Sequence, residues 1–276
     1  MKFDSNRCWM EALADIRANR DLLLTVGAFF FLLPTLVSLV LTADLQVGLA
    51  KAMENAKAMK AFVEQHGSTL VLATSAELLV NAFGMLALLR LLSDRYRSTV
   101  GQALLAALQG IPGLVGIAAL LMLIFLAALT VVAITLGSLL IAVLGEAVGG
   151  IVTAVVALAV GGLYPLARLS MAPPALVLEG QINPLRAALW SWRVTRGNGV
   201  ALALFYFLLS MAFGMVGLVT MLLFGPLLLA VAGQGMVFYL LAGVLNGLVS
   251  LAKWLLLTAV LYRAYRQLTE KAGVAA

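Results

Sequence analysis

The chain has 276 residues, 63% of them hydrophobic and 11% charged, with a mean hydropathy of +1.09. Soluble domains average roughly 45–50% apolar and about 25% charged residues, so a water-soluble globule is excluded. At roughly 20 apolar residues per helical crossing, the length holds about six crossings and leaves no room for a separate catalytic domain.

The net charge of +6 and the pI of about 9.7 do not call for nucleic acid. The basic residues stand at the ends of apolar runs, where they orient helices and meet anionic headgroups. One cysteine, Cys8, and one histidine, His66, supply neither a disulfide nor a zinc-binding cluster, and no metal or cofactor is expected.

Residues 5–20 place Trp9, Ala12, Leu13 and Ile16 at helical spacing, which predicts a helix lying in the headgroup plane. The apolar run 22–41 is too long for a signal h-region and has no A-x-A site, so it reads as a retained first span, kinked at Pro34. A stripe of Leu45, Leu49, Met53, Ala56, Met59 and Val63 predicts a surface helix over 43–66 on the far side. The second span is expected at 68–89, ending at the basic run Arg90, Arg95 and Arg97.

A second amphipathic piece is expected at 98–109, with Pro112 opening a third span that runs to 136. Residues 137–150 read as a turn into a fourth span at 151–166, closed by Arg168. The stretch 164–198 then interrupts the apolar half of the chain. Pro173 and Pro174 cannot continue a helix. Asn183 and Pro184 start a new one as cap and first-turn proline, and Gly197 ends it. A fifth span at 200–223, a reversal at 225–235 and a sixth span at 236–262 complete an all-α integral membrane protein.

Lys2, Arg7, Arg17 and Arg20 precede the first span; Arg90, Arg95 and Arg97 follow the second. Arg168, Arg186, Arg193 and Arg196 follow the fourth, and Arg263, Arg266 and Lys271 follow the sixth. The opposite connections carry only Lys51, Lys57 and Lys60. The positive-inside bias therefore places both termini in the cytoplasm. Amphipathic segments beginning near 5, 98 and 183, each followed by a pair of spans, suggest three parallel pseudo-repeats over 5–90, 98–168 and 183–263 within one membrane domain.

Glu77, Asn81, Asn246 and Lys253 are the polar residues expected inside the membrane, where an ionisable group is a functional candidate by default. Glu77 is open to three roles: a bridge to Lys253, a protonated carboxyl packed between helices, or a proton or cation relay. Arg186, Trp190, Trp192, Arg193, Arg196 and Glu179 are the candidates for headgroup contact, since arginine forks match lipid phosphate and tryptophan suits the interface. Gly243-x-x-x-Gly247 and Gly145-x-x-x-Gly149 allow close helix approach, within the chain or between copies. No nucleophile, acid and base set is visible.

The run Pro174-Ala175-Leu176-Val177-Leu178-Glu179-Gly180, with Pro184, Ala187-Ala188-Leu189, Ser191-Trp192 and Thr195-Arg196-Gly197, resembles the cytoplasmic signature of a bacterial family of six-helix inner-membrane proteins. That family is related to the membrane domain of glycerophosphoryl diester phosphodiesterases. Trp9-x-x-Ala12 and Arg17-x-Asn19 are similar to its N-terminus. The resemblance implies a bacterial inner membrane and a link to lipid metabolism. It does not imply phosphodiesterase activity, because the catalytic barrel is absent and one histidine cannot supply the acid and base pair. The expectation is a non-enzymatic, lipid-associated protein; a transporter using Glu77 and Lys253 is the alternative.

Overall fold

A computed structural model describes residues 2–53, 55–93, 98–233 and 236–271, and among them there are helices and no strands. Six helical segments are long and apolar enough to cross a membrane: Arg20–Leu49, Lys57–Leu91, Val100–Leu144, Val148–Leu178, Gly199–Ala232 and Val237–Glu270. Protein covers only 6% of the most apolar stretch of the fifth and 11% of the third. Faces this apolar need hydrocarbon around them, and the chain is a multi-pass helical membrane protein.

Several boundaries differ from the sequence reading. The surface helix expected over 43–66 does not form. Instead α3 (Leu33–Ala52) carries the first span onward, and α4 (Ala56–Leu91) begins after Asn55. The side chain of Asn55 accepts from the amide of Lys57 at 2.9 Å, a cap on the start of α4. Nor is 98–109 a separate helix. Thr99 and Gln102 form a capping box, and α5 (Val100–Val132) continues straight through Pro112.

The turn expected over 137–150 shrinks to Gly145, whose φ of +82° is open to glycine alone at low cost. The fifth span likewise runs through Pro226, and α11 (Gly199–Ala232) ends at Gly233. Arg95, Tyr96 and Arg97 lie outside the described residues.

Proline explains where two helices widen. A proline ring clashes with the carbonyl four residues back. For Pro34 that carbonyl belongs to Phe30, inside a π-helical turn over Ala28–Leu32. For Pro165 it belongs to Gly161, inside a π-turn over Leu158–Leu163. The looser turn relieves the clash without ending the helix.

The chain divides into two compact units. One comprises residues up to Ala14, Leu89–Ser210 and those from Ala259 on. In it α8 (Tyr164–Leu169), α9 (Ala172–Leu178) and α10 (Pro184–Val194) pack on the third and fourth spans, and α1 (Ser5–Ala18) meets the end of the sixth at Val260 and Arg263. Small residues on α5 admit α9 and α10: Gly113 meets the Leu176 side chain, and Gly116 meets the Pro184 ring. Pro173 and Pro174 fall in the first turn of α9, where no intrahelical N–H is needed, so they open a helix as well as barring continuation of the last.

The other unit comprises Asp15–Leu88 and Met211–Thr258. There α12 (Met236–Lys271) receives the first span on its glycines, Leu39 against Gly243 and Leu32 against Gly247. That stripe packs within the chain. Buried Phe31 stacks on Trp254 with centroids 5.7 Å apart, and Phe30 sits 5.2 Å from Phe83.

Candidate membrane-surface site

Asn183 caps α10 as its sequence predicts, accepting from the amides of Leu185 and Arg186 at 3.0 and 3.3 Å. The inner face of the helix is small and polar enough to dock tightly: Ala187, Ala188, Ser191 and Thr195 are all buried. The Ser191 hydroxyl donates to the Arg168 carbonyl at 2.7 Å and accepts from the Met171 amide at 3.1 Å. Thr195 adds a contact of 3.2 Å to the same carbonyl. These bonds fix α10 on the end of the fourth span. Gly197, at φ +79°, turns the chain into α11 as expected.

What α10 turns outward follows from that docking. Leu185 and Leu189 are exposed at 59% and 58%, Trp192 at 39%, and Arg186, Arg193 and Arg196 are exposed beside them. The helix itself contains no acidic residue. None of these three arginines has a carboxylate partner among the described residues. Docking separates neighbours on this helix, Ala188 inward and Leu185 and Leu189 outward.

The remaining headgroup candidates serve packing. Glu179 accepts a hydrogen bond from the Tyr265 hydroxyl. Trp190 is half-buried, its ring 5.9 Å from that of Tyr265. Arg90 donates to the Val177 carbonyl at 3.0 Å, tying α9 to the end of the second span. At the N-terminus Glu11 lies between Arg7 at 2.6 Å and Arg263 at 3.4 Å. Cys8 is buried against the Val260 carbonyl at 3.5 Å. Burial pushes its thiol up to about 12; Glu11 adds to the shift and Arg263 opposes it.

The sequence does not single out Arg168, Tyr164 or Gly199 as site residues. Arg168 counts there only as a topology charge, yet it is 5% exposed with its guanidinium 4.5 Å over the Trp192 ring. Tyr164 meets the same ring edge-on, with centroids 6.2 Å apart. Nothing in residue spacing brings Gly199 beside them; docking of α10 does.

The intramembrane polar residues do not assemble into one path. No hydrogen bond or ion pair among the described residues links any two of Glu77, Asn81, Asn246 and Lys253. Glu77 accepts instead from the Thr35 hydroxyl of the first span at 2.9 Å. Asn81 is 4% exposed, and its Oδ1 has no hydrogen-bond partner among the described residues. Lys253 is exposed, its ammonium 5.6 Å from the Trp254 ring centroid. Of the three roles open to Glu77, the bridge to Lys253 does not form among the described residues. Asn246 lines a cavity of about 20 Å³ with Thr220 and Phe224, room for about one water.

Among the described residues no three His, Cys, Asp or Glu side chains gather as metal ligands. In comparison with known proteins, no family model, no curated protein and no solved structure matches the chain.

Proposed function

We propose that this is a non-enzymatic multi-pass protein of a bacterial inner membrane that binds or organises lipid at its cytoplasmic surface. One observation carries the reading: the outer face of α10 offers Leu185, Leu189 and Trp192 for insertion and Arg186, Arg193 and Arg196 for headgroups, with no acidic residue on the helix to neutralise them. Basic residues near a membrane surface attract anionic lipid by about 1 kcal/mol each. The helix is also held rigidly from its inner side, so no ordering of the helix is needed when lipid arrives. The resemblance of residues 174–197 to a lipid-related membrane family supports the same reading, as does the lysine and arginine count, which favours a cytoplasmic side for this face.

The test is lipid retention. The chain carrying Arg186→Gln, Arg193→Gln and Arg196→Gln together is purified in mild detergent beside the wild type, and bound lipid is counted by mass spectrometry. The reading expects anionic lipid per protein to fall severalfold with monodisperse elution unchanged. Equal retention by both proteins would refute it.

A second reading, ion or solute transport, is favoured by the Glu77 contact. The Thr35 hydroxyl lies 2.9 Å from both the Phe31 carbonyl and Glu77, so a carboxyl inside an apolar span is joined to a polar group of another helix, the kind of pairing a polar path needs. Glu77→Gln with transport assayed in vesicles separates the readings: lost proton flux in a folded protein supports transport, and unchanged flux counts against it.

A further inference from the structure

We propose that Arg168 is the centre of a binding site for a phosphate group, that of a phospholipid headgroup or of a free phosphate anion. The lipid source rests on the reading of the α10 face given above; the phosphate chemistry does not.

Arg168 is 5% exposed, and its Nε has no hydrogen-bond partner among the described residues. No carboxylate pairs with it among the described residues. A guanidinium withdrawn from water without a counter-anion carries a large desolvation penalty, and the Trp192 face beneath it, 4.5 Å away, offsets only part of that. The contact with the ring is made through its π face and takes up no N–H donor in a hydrogen bond to oxygen. Forked guanidinium donors match two oxygens of a phosphate.

The surroundings are built to hold the side chain there. Ser191 and Thr195 both bond the Arg168 carbonyl, fixing its backbone. At Gly199 a Cβ would stand 2.7 Å from Cδ of Arg168 and 3.4 Å from the Tyr164 hydroxyl, so the absence of a side chain lets the arginine stem and the phenol flank one point of backbone. The Tyr164 hydroxyl is a second donor with no partner among the described residues. Gly199 is also the first residue of α11, and a helix start leaves amide N–H groups without intrahelical partners. Guanidinium, phenol and helix start all favour an oxyanion, and the exposed rims of Tyr164 and Trp192, 38% and 39%, leave a way in.

The experiment uses the full chain in detergent, stripped of lipid. It is titrated separately with phosphatidylglycerol, with diacylglycerol lacking phosphate, and with inorganic phosphate, and binding is read by native mass spectrometry and tryptophan fluorescence. Wild type is expected to hold one phosphate-bearing ligand that Arg168→Met binds at least about tenfold more weakly, the loss of a charge-assisted hydrogen bond. Arg168→Lys should fall between them. If Arg168→Met does not fold, Tyr164→Phe keeps the ring and removes only the hydroxyl, and severalfold weaker binding is expected.

Equal binding by wild type and the variants, or diacylglycerol binding as tightly as phosphatidylglycerol, would overturn the site. Tight phosphatidylglycerol with weak inorganic phosphate assigns a lipid; comparable affinities assign a free anion. The triple α10 variant separates the two claims. Lipid loss there, with neither lipid nor inorganic phosphate binding lost in Arg168→Met, sinks this site alone, and the reverse sinks the surface reading alone.

Discussion

Cys8 sits against the carbonyl of Val260, and its raised thiol has two consequences. The thiolate is the reactive form, so a maleimide at pH 8 should label the native protein far more slowly than the denatured one. Rapid native labelling would show that α1 is not docked. The folded thiol also holds its proton more tightly than an ordinary thiol near 9.0. Its contribution to stability is therefore complete below about pH 9.0 and lost as pH rises toward about 12.

Gly199 is the other single-residue test. An added methyl must displace Arg168, so Gly199→Ala should lower stability by about 1–3 kcal/mol, as overpacking does; an unchanged unfolding midpoint would contradict the packing. Glu77 was legible as a costly residue from its apolar surroundings alone. Its partner was not, because Thr35 is an ordinary residue of another helix and only packing selects it over Lys253.

At the scale of elements, capping signals located helix ends and hydropathy did not. Asn183 with Pro184 was read correctly, and Asn183→Ala should cost about 1 kcal/mol in thermal unfolding; no change would show that α10 is held by its docked face alone. Asn55 and Thr99 carry the same kind of signal, but the amphipathic stripes around them suggested separate surface helices. Charge along a helix marks where hydrocarbon gives way to water, and the helix itself continues until a cap or a glycine stops it.

Among the expected surface helices, α1 and α10 are discrete and the segment at 98–109 is the start of α5. The glycine stripe on α12 was legible as a packing face, and its partner was not. Gly243→Leu should collide with Leu39 and destabilise the fold by about 1–3 kcal/mol or more. If the variant unfolded like the wild type, that helix contact would be wrong.

For the whole molecule, composition alone made hydrocarbon the surrounding medium, and six apolar helices agree with it. The proposed orientation rests on the distribution of lysine and arginine alone, and no contact in the folded protein records it. Every proposal about headgroups depends on that orientation. The direct measurement is side-specific labelling in a Cys8→Ala background, with Lys57→Cys in one protein and Arg186→Cys in another. A membrane-impermeant maleimide should label residue 57 in intact spheroplasts and residue 186 only after permeabilisation. Labelling of both positions from the same side would contradict the account.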